Sequence, residues 1–590
     1  MCHAFTRDQE RHWLAIMPAI PEEFTVGLAV ATSHHGRAPA RPPRPQLDHV
    51  LGSCLPGTGG TAMQATSGSL ISSIVICTAT LGGQLSAAEP ERQAVVETMK
   101  RATTFMVEEV SYRGGYLWNY LPDLSRRWGE MEAFETMIWL QPPGTSSMGH
   151  VFLDAYHATG DEEYYEAAER VAAALAWGQH PSGGWNYFID FAGDRSLRLW
   201  YSTIGHNAWR LEEFQHYYGN ATFDDQVTTN AAKFLLRLYL EKLDPRYKVP
   251  LDKAIGFVLD SQYAVGGWPQ RYPLRYDFSK PGHPDYTSYL TFNDDVGAEN
   301  ISFLILCYQV LGDQRLLEHI IRGMNFFLVT QQGPEQPGWS LQYTLDLKPA
   351  AARTYEPLAL ATHTTASNIG HLISFFRLTG DTKFLARVPE AIDWLASNRL
   401  PGGSTDQGAT HPTFIEIDSG KPLYVHRRGS NVVNGEYYAD YDSRNTLAHY
   451  SAFRRIDVEG LRKRYDEARV TSSADLAESS PLLPNKGVAE LPRFFAQAYA
   501  PVELEDINAQ ASDAVANLND SGFWPAKLPQ TSHPYRDEGS TKPARGDFSG
   551  THVGDESDTS PFAAKNPAVG ISTAEYLRNM NVLIRWLSEQ

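Results

Sequence analysis

Residues 149–177, GHVFLDAYHATGDEEYYEAAERVAAALAW, carry the pattern that decides the architecture. An apolar run opens at Gly149-His150 and stops at Gly160, the residue type that most readily takes the left-handed conformation ending a helix. Asp161 then stands where its side-chain oxygen can accept from the free amides of a new first turn. The next run places Tyr165, Ala168, Ala172 and Leu175 at helical spacing, with Glu162, Glu166 and Arg170 on the opposite face. The stretch reads as two antiparallel helices joined at a Gly-Asp corner.

The unit recurs at Gly205-His206 to Gly219-Asn220, Gly297 to Gly312-Asp313, and Gly370-His371 to Gly380-Asp381. Between these units lie four aromatic turns, GGYLWNY at Gly114, GGWNYF at Gly183, GGWPQRY at Gly266 and PGWSLQY at Pro337, spaced 69, 83 and 71 residues apart. That is the period of a helical-hairpin repeat. Stacked hairpins either open into a solenoid or curl into a ring, and turns repeated at each step would gather at one end of a ring. The expected fold is therefore dominated by α-helix, a partial α/α toroid over residues 89–470.

After Trp394 the pattern changes. Phe414, Ile415 and Ile417, then Leu423 and Val425, suggest a small β-hairpin. Residues 471–590 read as a loop-rich extension, with a Ser, Pro and Gly rich tract at 527–567. Ser572 to Glu575 forms a capping box for a last helix that is expected to pack on the toroid. Residues 1–88 read as a disordered leader, within which 63–88 resembles a secretory signal ending at Ser86-Ala87-Ala88. This implies a periplasmic or secreted protein, and the apolar core of that segment is too short for a spanning helix, which needs about 20 residues. Cleavage there would leave Cys307 as the sole cysteine, which behaves as a small buried hydrophobe.

The formal charge of -18 argues against a nucleic-acid partner. The richest stretch for chemistry is GGWPQRYPLRYDFSKPGHPDYTSYLTFNDD, residues 266–295. Trp268 and Tyr272 offer flat faces suited to sugar rings. Asn293, Asp294 and Asp295 stand at the mouth of an apolar helix, where oxygen ligands can gather a hard cation. The alternative is an ordinary helix cap that needs no cation.

GGWPQRYP followed by TFNDD resembles the paired signature of the family ten polysaccharide lyases, the pectic acid lyases. QPPGTSSMGHVFLDAYHATGD (141–161), SGGWNYFIDF (182–191), PGWSLQY (337–343) and AARTYEP (351–357) resemble the same family in its order. The resemblance implies β-elimination on an acidic polysaccharide of pectate type, leaving 4,5-unsaturated uronate ends, by a monomeric enzyme with no nucleic-acid or membrane-spanning partner. It implies a calcium ion at Asp294 and Asp295, and Arg353 of AARTYEP as the Brønsted base. Substrate contacts are expected from Trp268, Arg271, Tyr272, Asn207, Asn293, Gln342, Tyr343, Arg427 and Arg428. Glu356 is the competing partner for Arg353.

One departure shapes the alternatives. The family has an aspartate pair after Thr-Ile or Thr-Leu, and the stretch Thr203-Ile204-Gly205-His206-Asn207 lacks it, so calcium is expected to be recruited together with substrate. His206 could then serve as base or acid, with Tyr272 as acid, in a metal-free lyase acting on a glucuronan, alginate or ulvan type polymer. The histidines His150, His363 and His371 add to that reading. A catalytically dead carbohydrate-binding toroid is a third reading. A fourth is a triterpene cyclase, since Gln262-x3-Gly266-x-Trp268 fits the glutamine-tryptophan repeat of that class.

Overall fold

The computed structural model describes residues 90–205, 212–275, 285–403, 405, 408–428, 436–446, 450–483, 506–529 and 569–590. The leader and signal-like segment, and most of the 527–567 tract, lie outside them. The helices are α1 (Arg92–Phe105), α2 (Thr145–Thr159), α3 (Glu162–Gly178), α4 (Asp194–Ser202), α5 (Val227–Lys242), α6 (Pro245–Ser261) and α7 (Val296–Leu311), then α8 (Leu316–Thr330), α9 (Thr362–Thr379), α10 (Val388–Ser397), α11 (Val458–Arg469), α12 (Ser473–Ser479), α13 (Ile507–Asn517) and α14 (Thr573–Glu589).

Each hairpin pairs an inner with an outer helix: α2 with α3, α5 with α6, α7 with α8, and α9 with α10. α2 packs on α5 and α5 on α7, so the inner helices form a curved layer. α14 packs on α2 and on α1, placing the end of the chain ahead of the first hairpin in that layer. Its start is capped by Ser572, which accepts from the Glu575 amide. This is a partial α/α toroid, as expected. The Gly-Asp corner is also as read: Gly160 is left-handed (φ 72°), and Asp161 caps α3 by accepting from the Glu163 amide.

The unit expected at 205–220 is different. Of that region the structure describes residue 205 and residues 212–220, which hold a 3-10 turn at Glu212–Phe214; α4 ends before it at Ser202, and the inner helix of the second hairpin is α5, starting at Val227. The expected β-hairpin is present as Phe414–Glu416 against Pro422–Arg428, extended by Glu436–Asp440 and by Ala359–Ala361 on the other side.

The aromatic turns lock neighbouring hairpins together. The indole N–H of Trp185 donates to Leu175 O, that of Trp268 to Val258 O, and that of Trp339 to Phe327 O, each at 2.8–3.0 Å. Gln179, Gln262 and Gln331 each donate from the amide to a carbonyl of their own turn and to one on the next outer segment: Pro250, His319 and Arg387. The glutamine-tryptophan repeat is thus a structural clamp. In the first two clamps the glycine between them is obligatory, while the third has Pro337 in its place. Gly183 (φ 106°) and Gly266 (φ 109°) lie so close to the next outer helix that a Cβ would sit 2.1 Å from Lys253 O or Arg322 O.

Candidate active site

Two successive repeats carry nearly the same hexapeptide: Thr222-Phe223-Asp224-Asp225-Gln226-Val227 and Thr291-Phe292-Asn293-Asp294-Asp295-Val296. Each follows a two-residue strand, makes one 3-10 turn and opens an inner helix, α5 or α7. Phe223 N donates to Gln270 O and Phe292 N to Leu341 O, tying each hexapeptide to the next aromatic turn. In both, two consecutive non-glycine residues are left-handed: Asp225 and Gln226 (φ 48° and 60°), Asp294 and Asp295 (φ 52° and 54°). Such conformations cost about 1–3 kcal/mol each and gather at functional sites.

The turns converge their acids. Oxygens of Asp224, Asp225 and Asp294 lie within 4.8 Å of one another. Asp224 is fully buried, and its Oδ2 accepts from the Tyr187 hydroxyl and, at 3.3 Å, from Arg353 Nη1. Its Oδ1 is buried with no hydrogen-bond partner. Asp225 accepts from Gln141 Nε2 at 2.8 Å. Burial first, and then the neighbouring carboxylates, push Asp225 and Asp294 well above the usual carboxylate range. Glu130 is raised the same way, by burial and then by Asp225 and Glu213. Three converging hard oxygen donors, an unsatisfied buried oxygen and a surplus of negative charge fit a hard divalent cation such as Ca²⁺.

Arg353 is buried beside the cluster. It grips Glu356 with two bonds, Nε to Oε2 at 3.1 Å and Nη2 to Oε1 at 3.0 Å. Its remaining donors reach Asp224, Glu213 at 3.4 Å and the Tyr450 hydroxyl at 2.9 Å, and Asp294 lies 3.9 Å away. Burial lowers its pKa, but Glu356, Tyr355, Tyr450 and Asp224 outweigh that and hold it well above the ordinary arginine value.

Several expected site residues stand elsewhere. Trp268 is fully buried and is part of the clamp, so its face is not open to a sugar. Arg271 is 1% exposed behind Tyr187. Its guanidinium lies over the rings of Tyr187 and Tyr218, and Nη1 donates to Asn186 and Asn220. Tyr343 is fully buried, its hydroxyl accepting from Ser340 N, and Tyr272 is half-buried with its ring edge-on to Phe257. Gln342 is a buried support, donating to Glu356 Oε1 at 3.3 Å. Asn293 donates to Asp294 and accepts from Tyr450 OH, at the edge of the cluster. Asp295 does not join the acidic triad. Its Oδ1 accepts from Ser367 Oγ at 2.9 Å and lies 3.4 Å from His371 Nε2.

His206 and Asn207 lie outside the described residues, as do the side chains of Arg427 and Arg428, whose backbones pair with Tyr437 and Glu436. An aspartate pair does stand further along the chain, Asp224-Asp225, at the turn that opens α5. Gly205 is a packing position, where a Cβ would meet Phe214 O at 2.5 Å. Among the histidines, His150 is core, between Arg237 and Asn230 O, and burial pushes His363 down to about 3. Asp224 and Asp225 could have been found from the near-identity of the two hexapeptides. Arg454, which the sequence reading did not single out, lies within electrostatic reach of Tyr450 and Asp294 and makes no ion pair among the described residues; its Nε is buried without a partner.

Residues 201–406 match the model of the pectic acid lyase family, which supports a lyase acting on a polysaccharide. Among solved structures, a mutant family 10 polysaccharide lyase from Cellvibrio cellulosa in complex with trigalaturonic acid is similar at 17% identity, covering 55% of this chain and 98% of its own, with a TM-score of 0.37. The GH76A α-1,6-mannanase from Salegentibacter sp. HEL1_6 is similar at 14% identity, covering 85% and 100%, with a TM-score of 0.34. Cellobiose 2-epimerase from Spirochaeta thermophila is similar at 13% identity, covering 56% and 74%, with a TM-score of 0.36. No curated protein matches the sequence. Among the described residues no helix is long and apolar enough to cross a membrane.

Proposed function

We propose that the protein is a lyase that cleaves a polyuronate of pectate type by β-elimination, with Asp224, Asp225 and Asp294 holding a divalent cation, Ca²⁺ by its donor set. The observation that carries this reading is the convergence of three carboxylates from two equivalent strained turns directly beside a buried arginine. The match to the pectic acid lyase family supports the same chemistry. A cation bound there would neutralise the uronate carboxylate and so acidify the proton at C5.

The chain's own residues do the rest. Arg353 is the proposed acceptor of the C5 proton. Its two bonds to Glu356 fix the guanidinium plane, while Asp224 and Asp294 mark the side toward which substrate must lie. With its pKa raised Arg353 rests protonated, so it must pass one proton to water before it takes the one from C5, and the oxygen that leaves C4 as the double bond forms is protonated by water. Arg454, without an ion pair among the described residues, is the proposed clamp for a substrate carboxylate. Tyr450 bonds both Arg353 and Glu356 and so helps to hold that pair in place.

The metal-free histidine reading was prompted by the absence of an aspartate pair at Thr203 to Asn207; the acids gathered at Asp224, Asp225 and Asp294 favour the cation reading over it. The cyclase reading rested on a motif that serves as the Gln262 clamp. Purified protein incubated with polygalacturonate should generate the ultraviolet absorbance of unsaturated uronates, and excess chelator should abolish it. No product from any of a panel of polyuronates would refute the lyase. Full activity in chelator would refute the cation.

A further inference from the structure

The first repeat carries an aromatic ledge at the edge of the core: Tyr112 and Phe191 pack against the core, and Trp177 lies outside it. Trp177, at the end of α3, is 53% exposed. Its ring lies 4.5 Å from that of Phe191 at 32°, and Tyr112 lies 5.8 Å from Phe191 on the same cluster. The guanidinium of Arg113 stands 5.4 Å from the Phe191 ring centre and makes no ion pair among the described residues. The repeat itself does not call for this tryptophan: counting back from the clamp glutamine, the equivalent positions hold Asp260 and Val329.

Arg113 is held there at a cost. It sits with Gly114 in a two-residue turn closed by hydrogen bonds in both directions between Tyr112 and Gly115, and both central residues have positive φ (51° and 86°). Asparagine or glycine is the usual occupant of such a position. The ledge is also near the acids. Tyr187, whose hydroxyl bonds Asp224, precedes Phe191 by four residues through the strand Phe188–Asp190, so at most about 13 Å of backbone separates them.

We propose that Trp177, Phe191 and Arg113 form a distal subsite for the acidic polysaccharide, a few sugar rings from the point of cleavage. The apolar face of a pyranose would lie on the indole, and Arg113 would take a uronate carboxylate. The inference rests on the polyuronate reading of the acid cluster and names how the rest of the chain is held.

The test uses the full chain with Trp177→Ala and Arg113→Gly, the latter suited to the left-handed turn and therefore safe for folding. Retention in polygalacturonate-containing gels and kinetics on polymer and on trigalacturonate are measured. Trp177→Ala should weaken retention and raise the polymer KM roughly tenfold, the worth of about 1.4 kcal/mol of stacking. Turnover and trimer kinetics should stay within about twofold. Arg113→Gly should weaken retention on polygalacturonate but not on its methyl ester. Unchanged polymer retention and KM in both variants, or equal losses on polymer and trimer, would overturn the subsite. If the wild-type chain cleaves no polyuronate, the lyase reading fails, while gel retention still reports on the ledge alone.

Discussion

Replacing Arg353 with alanine separates its structural from its catalytic role, because the structure gives a magnitude for each. Truncation removes both bonds to Glu356 and the pairing to Asp224 and Glu213, three carboxylates whose side chains are at most 4% exposed. Breaking a buried pair by deleting one partner costs about 3–5 kcal/mol, because the other charge is stranded. Stranded carboxylates can take up protons, so the cost should shrink in mild acid. Urea unfolding near neutral pH and in mild acid measures that term. Turnover on polygalacturonate, measured where the variant is folded, gives the other: loss of a general base typically lowers kcat by 10²-fold or more, with KM little changed. Retention of more than about a tenth of the rate by a folded Arg353→Ala protein would refute the catalytic role and leave the arginine as a neutraliser of acids. Arg353→Lys, which cannot form the two-bond grip, should recover part of the stability but little of the rate.

Calcium should stabilise the protein, and more so as pH rises. Asp225 and Asp294 bind protons more tightly folded than unfolded, so cation-free stability is highest below their unfolded pKa of about 4 and is lost as pH rises toward the raised folded values. Calcium replaces those protons, and a gain in Tm that shrinks with rising pH would contradict this. Asp225→Asn and Asp294→Asn should each weaken calcium binding by calorimetry, because affinity follows ligand charge, whereas Asp295→Asn should leave it within about twofold. Gly266→Ala should cost more than about 3 kcal/mol, as its Cβ overlaps Arg322 O, while Gly312→Ala, left-handed but with open space around it, should cost about 1 kcal/mol. Trp268→Ala should lower stability by about 3–5 kcal/mol with polymer KM unchanged in the folded fraction; a KM effect at unchanged stability would restore its role as a sugar platform.

What could be read from the sequence follows from what is local. Gly160-Asp161 announces its corner because a left-handed stop and a side-chain cap need only adjacent residues. The place of Asp294 at the mouth of a helix was legible for the same reason. Its partners were not, because they depend on register between repeats: the stretch after α4 carries a Gly-His that imitates a helix start, and this drew the second hairpin to 205–220. That slip drew attention away from Asp224-Asp225. Trp268 and Tyr343 were misjudged because a glycine-aromatic turn reads the same whether the ring faces water or the neighbouring hairpin. Arg454 comes from a two-residue strand far along the chain, and its electrostatic reach to Asp294 depends on tertiary structure alone.

The competing view of the two acidic turns, that they only begin helices, meets a difficulty within the fold itself. The inner helix α9 begins from Ala361 in extended conformation (φ -105°, ψ 120°), and α2 begins from Gly144, so an inner helix starts without consecutive left-handed residues. Only α5 and α7 among these four are preceded by such a pair, and both carry an aspartate as its first member. No side-chain cap bond is formed at either start. The strain therefore does not serve the helices. Its visible effect is to bring Asp225 and Asp294, each from its own repeat, to the same few ångströms as Asp224, where burial and like charge make them costly unless a cation is shared. A site assembled this way needs both repeats in register. Any change that lets α5 slip against α7, such as loss of the Lys233–Glu299 pair at 2.7 Å between them, should weaken cation binding without touching a ligand.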